Sequence, residues 1–152
     1  MIHLVPDNTA AALVKYDPEV QVIDVSLTRR IPRSPSSVWV VYGLFMDYEL
    51  DGRVVHVETM VPAAILELSP LVAPSPTPGL FALFVDTPDT APQEILVYDQ
   101  PQKLLCIRFR KADPTTTCHR LGDRLLIETH GGSLAAVWLT DLNLVLPARN
   151  AS

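Results

Sequence analysis

Between Val38 and Met60 the chain reads as two apolar-alternating runs joined by Asp51-Gly52, and this feature restricts the fold more than any other. Asp-Gly between alternating runs is the signal for a two-residue type I′ hairpin, whose backbone twist matches that of the strands it joins. Such a turn fixes the register. Leu50 is expected opposite Arg53, Tyr48 opposite Val55, Met46 opposite Val57 and Leu44 opposite Thr59 on one face. Glu49 with Val54, Asp47 with His56 and Phe45 with Glu58 share the other face. The first set is apolar enough to be core, and the second carries the charge.

Most of the remaining chain follows the same logic of short runs rich in Val, Ile, Leu and aromatics, bounded by turn residues. Val20 to Leu27 alternates, with Ile23, Val25 and Leu27 on one face and Val22, Asp24 and Ser26 on the other. Leu80 to Val85 is continuously apolar, as a strand buried on both faces would be. Leu104 to Arg110 sets Leu105, Ile107 and Phe109 against Cys106, Arg108 and Arg110. Gly122-Asp123 suits a type II′ turn between Thr117–Leu121 and Arg124–Thr129. Helix signals are few and short. Asp7 or Asn8 is placed to cap a helix running to Leu13, Pro62 to open one to Leu68, and a third, weaker pattern covers Thr90 to Leu96. From Ser133, the residues Leu134, Val137, Trp138, Leu142 and Val145 fit a helical stripe, yet Leu142, Leu144 and Leu146 alternate as a strand; the strand is preferred.

The expected fold is therefore mainly β, with residues 1–152 as a single domain: an antiparallel β-barrel or sandwich with one to three short helices. The alternative is an α+β fold, a curved antiparallel sheet packed on a C-terminal helix. A chain of 152 residues with 48% hydrophobic content buries a sizeable core without help from its 2 cysteines. Eight of the 14 prolines fall between Pro62 and Pro101, in the region that also holds the uncharged stretch Leu68 to Val85. Proline at that density cannot be held in one helix, so the stretch does not read as a membrane span. Ser69 to Gly79 is read as a stiff, Pro-rich loop inside the domain.

The best cluster for chemistry is the charged hairpin face, where Asp47, His56 and Glu58 share one side and Asp47 sits opposite His56. A histidine with two carboxylates suits acid/base catalysis or a divalent transition metal, and an ordinary solvated ion pair explains the same pattern. Arg108 and Arg110 share a strand face and, at a cavity mouth, would grip a carboxylate. Arg29, Arg30 and Arg33 form a basic run that suits a phosphate or an acidic partner. Thr129-His130-Gly131-Gly132-Ser133 is similar to the oxyanion-hole stretch of some esterases, but no Gly-x-Ser-x-Gly accompanies it, and a Gly-Gly turn is the better reading. No Gly-rich phosphate loop, dinucleotide fingerprint or EF-hand loop is present, and no cofactor is implied.

A net charge of −5 argues against nonspecific binding to nucleic acid or an anionic membrane. Two isolated cysteines and a start without a secretory pattern suggest the cytoplasm. The expectation for function is a non-catalytic binding or assembly protein acting through a protein partner or self-association. The alternatives are a barrel for a small apolar or amphipathic ligand and an acid/base or metal-assisted enzyme using Asp47, His56 and Glu58.

Overall fold

Alternating apolar runs become strands throughout the computed structural model, which describes residues 1–28, 44–86 and 95–146, and residues 36–41 in backbone only. In chain order the strands are β1 (Ile2–Pro6), β2 (Leu13–Asp17), β3 (Val22–Ser26), β4 (Ser36–Val41), β5 (Leu44–Tyr48), β6 (Val54–Met60) and β7 (Glu67–Leu68). They continue with β8 (Thr77–Val85), β9 (Ile95–Asp99), β10 (Leu104–Arg108), β11 (Thr117–Gly122), β12 (Leu125–His130) and β13 (Ser133–Leu139). Eight of them form one sheet, in the order β1-β8-β11-β12-β13-β10-β9-β7, and five form another, β2-β3-β6-β5-β4. Neither sheet closes on itself, so the barrel expectation is corrected. The antiparallel expectation needs amending too, because β8 with β11 and β7 with β9 run parallel.

One apolar core takes residues from both sheets. Ile23, Val25, Leu44, Met46 and Val57 of the smaller sheet join Leu83, Leu105, Ile107, Leu125, Ile127, Val137 and Leu139 of the larger. Such a cluster requires strands that are apolar on their inward parity, and the alternation in the sequence supplies it. The larger sheet also buries its second face. There Leu104, Cys106, Cys118, Leu126, Ala136 and Trp138 form a separate cluster against which Leu71 and Ala73 pack. The Pro-rich loop thus lies over the sheet. Asp99 anchors it, accepting hydrogen bonds from the Leu71 amide at 2.8 Å and from the Gln102 amide and side chain. These donors, the Leu71 amide first, hold the Asp99 carboxyl below its ordinary range. The loop is shorter than expected, since β8 begins at Thr77 rather than after Gly79.

No helix forms among the described residues. After Asp7 the chain makes an Asx turn, with the Thr9 amide and hydroxyl both donating to Asp7 Oδ1, and then runs extended into β2. After Pro62 a single turn closes with the Ile65 amide on the Pro62 carbonyl, before Glu67 and Leu68 pair with β9. Residues 90–94 of the third helix pattern lie outside the described residues, and its end, Ile95 and Leu96, is strand. The C-terminal helix is replaced by β13. Leu142 to Leu146 is not a strand edge either: it has no regular structure, and Leu142 and Leu144 are buried in the main core.

The turns explain the register. Between β5 and β6 the pairs Leu44–Thr59, Phe45–Glu58, Met46–Val57 and Asp47–His56 form as expected, but a bulge then pairs Tyr48 with Val54. The loop has three residues rather than two, with the Glu49 amide bonded to the Arg53 carbonyl and Gly52 at φ +88°. This is a turn closed by a left-handed glycine, the common three-residue hairpin. Gly52 also touches the other sheet: its carbonyl accepts from the Val85 amide, and a Cβ there would stand 2.6 Å from the Val85 carbonyl oxygen. The Gly122-Asp123 turn shifts by one residue to Asp123-Arg124. Gly122 lies in β11 because the Ala12 backbone rests on it, 2.5 Å from where a Cβ would be. Gly131 and Gly132, at φ +56° and +83°, make the Gly-Gly turn between β12 and β13.

Candidate functional site

The outward face of the smaller sheet carries the clustered charge. Register places Leu13, Ser26, His56 and Asp47 in one row across β2, β3, β6 and β5, with Lys15, Asp24, Glu58 and Phe45 in the next. His56 Nδ1 lies 2.9 Å from Asp47 Oδ2, as the hairpin register implies, and Nε2 lies 3.0 Å from Asp24 Oδ1. Asp24, not Glu58, is the second carboxylate. Carboxylates only accept, so both contacts are hydrogen bonds at once when the imidazole carries two N–H groups. In that form the ring ties β3, β6 and β5 together and has no free lone pair for abstracting a proton or binding a metal. Among the described residues no group of three or more His, Cys, Asp and Glu is placed to hold a metal ion.

Arg108 is held by its neighbours, the backbone of Arg110 among them. Arg108 donates to Glu128 Oε2 at 2.7 Å and to the Arg110 carbonyl, and its guanidinium lies 6.0 Å from the Trp138 ring centre. The Trp138 indole N–H donates to the same Glu128 oxygen. Arg108 is therefore committed to the second face of the larger sheet, beside Cys106 and Cys118. Those cysteines are free and buried, and burial pushes their thiols up to about 12 and about 11. They are consecutive in the chain order of strands, but β12 and β13 stand between them. Arg29, Arg30 and Arg33 lie outside the described residues.

The other histidines are dispersed. His3 meets Asp86 at 3.0 Å, and His130 meets Thr115 and Asp113 at a strand end. His119 packs edge-on to Phe81, its Nδ1 buried without a hydrogen-bond partner among the described residues, and burial lowers its pKa. Near it, Phe81, Leu83, Leu121, Leu27 and Arg53 line a shallow crevice with a cavity volume of about 10 Å³, room for no more than a single water. Arg53 is engaged there by Asp7 at 2.7 Å; the two Thr9 hydrogen bonds and then Arg53 bring the Asp7 carboxyl down to about 2.

A feature the helix reading of residues 8–13 concealed is the edge strand β2. In β3 the Leu27 amide bonds the Val55 carbonyl, and the Gln21 carbonyl accepts from Val61, so odd-numbered residues of β3 point their backbone groups at β6. Backbone groups alternate sides along a strand, so Val22, Asp24 and Ser26 bond β2 through Asp17, Lys15 and Leu13. The N–H and C=O of Val14 and Tyr16 then point away from the sheet, and no described residue bonds them. Leu13 is 60% exposed beside them. The sequence signal was present as alternation, with Leu13, Lys15 and Asp17 out and Val14 and Tyr16 in.

Comparison of the chain with protein-family models and with curated proteins returns no match. No helix among the described residues is long and apolar enough to cross a membrane.

Proposed function

We propose that this chain is a non-catalytic binding or assembly protein of the cytoplasm that works through protein–protein contacts at a sheet edge. The observation that carries the reading is the β2 edge, a regular five-residue strand with outward backbone groups and an exposed Leu13. An edge of this kind is a template for strand addition, in which main-chain hydrogen bonds give affinity and alternate side chains give specificity. Val72, 91% exposed on a loop pinned by Asp99, offers a second apolar point. Free, buried Cys106 and Cys118 fit a reducing compartment.

The test is a photo-crosslinking residue placed at position 13 in cells expressing the chain, with position 111, which is exposed and away from this edge, as control. The reading expects a discrete adduct of defined mass from position 13 and none from 111. Absence of an adduct at 13, or equal labelling at both, overturns it.

A further inference from the structure

We infer that the outward side of the Pro-rich loop is a second contact surface, a preformed polyproline II ridge for a partner protein with an aromatic-lined groove. The inference keeps the binding-protein reading and adds a surface separate from the β2 edge. The loop runs from Leu68 at the end of β7 to Thr77 at the start of β8, and these strands stand six spacings apart in the larger sheet. Six spacings cover about 29 Å. Nine residue steps of polyproline II cover about 28 Å, so the loop crosses the sheet almost fully extended. The sequence prepares it for that. Pro70, Pro74, Pro76 and Pro78 fix their own φ, and the residues before them, Ser69, Ala73, Ser75 and Thr77, are held extended by the ring that follows. Only Leu71 and Val72 escape both constraints, and Leu71 is bonded at its amide, to Asp99, and at its carbonyl, from Gln102.

Exposure along the loop follows a helix of three residues per turn. Between Leu71 and Pro76 only Val72 and Ser75 are exposed, and Pro78 follows at the next step of three. Leu71 and Ala73 pack on the cluster that holds Trp138, Cys106 and Leu104. The ridge that remains is apolar at Val72, 91% exposed, and at Pro78. Its hydrogen-bonding capacity is one-sided. Pro74, Pro76 and Pro78 have no N–H, while the carbonyls of Val72 to Ser75 accept from no described residue. A strand partner needs donors and acceptors in alternation, which this ridge lacks. What fits is a groove whose aromatic rings pack on Val72 and Pro78 and donate to the carbonyls from an indole N–H or a phenol O–H. Because the loop is already taut, docking loses little further backbone entropy.

Titration calorimetry of the full chain with purified domains of the SH3 and WW classes, which carry such grooves, tests this. At least one domain should bind one-to-one with a Kd below about 1 mM. Val72→Asp should weaken that binding at least about tenfold, by setting a charge against the rings, and Pro78→Ala about threefold, by loosening the ridge. Ile65→Asp, at an apolar position 61% exposed but off the ridge, should leave it unchanged. All three positions face solvent, and circular dichroism checks that the sheets are retained. No saturable binding by any of these domains, binding indifferent to Val72→Asp, or an equal loss from Ile65→Asp each overturns the inference. The position-13 adduct is read separately, so a ridge that fails here leaves edge binding standing.

Discussion

The two sheets each carry a charged chain across several strands, one sealed and one wet. On the larger sheet Arg108 reaches Glu128 past the intervening β13, and Trp138 donates to the same carboxylate, whose side chain is 5% exposed. On the smaller sheet His56 holds Asp47 and Asp24, with the three side chains between 27% and 46% exposed. The device is the same, but its energetics are not. A buried carboxylate cannot lose its partners without remaining desolvated, whereas a wet one exchanges them for water. The sealed chain therefore specifies how β10, β12 and β13 sit together, while the wet chain is free to meet another surface.

The sharpest way to break that comparison is Glu128→Ala, which strands the Arg108 guanidinium and the Trp138 N–H against apolar neighbours. It should cost about 3 kcal/mol in urea unfolding, the lower end for breaking a buried pair because Arg108 keeps some solvent. Replacing both charges, Arg108→Leu with Glu128→Leu, should lose markedly less than Glu128→Ala does, since no charge is left unpaired and only the Trp138 N–H lacks an acceptor; equal losses would show that the pair itself, not its desolvation, stabilises the sheet.

Next in size is the alkaline response of the same face. The Cys106 and Cys118 pKa values are raised to about 12 and about 11 in the folded chain. The unfolded chain ionises its thiols near pH 9 and binds fewer protons there, so stability is whole below that pH and falls as pH climbs toward the folded values. Native protein should accordingly react with a thiol reagent only at its unfolding rate. Rapid labelling at neutral pH would place the thiols in water. The smallest effect belongs to the wet chain: His56→Ala should change unfolding free energy by no more than about 1 kcal/mol, and a larger loss would mean the three-strand tie is structural.

The inner faces were legible in the chain because one periodicity, alternation, set both burial and register. Leu44 and Met46 against Val57 and Thr59, and Ile23 with Val25, needed no tertiary information. The hairpin tip was not legible, because Asp-Gly permits both a two-residue and a three-residue loop, and the choice is made by Val85 on another sheet. Gly122 misled for the same reason: it looked like turn chemistry and serves as a seat for Ala12. The Asp47–His56 half of the polar cluster followed from the hairpin, whereas Asp24 depended on which strand lies beside β6, and sequence does not encode strand order locally. The short helices failed because one good cap or one first-turn proline cannot outweigh extended pairing on either side.

The bond between Gly52 and Val85 joins the tip of a local hairpin to a strand that follows it by more than 30 residues in the chain. The hairpin can close early, from contacts near in sequence, but its tip cannot settle until β8 has been placed. One glycine therefore makes the fast-forming part of the molecule wait on the slow one, and ties the two sheets into a single cooperative event.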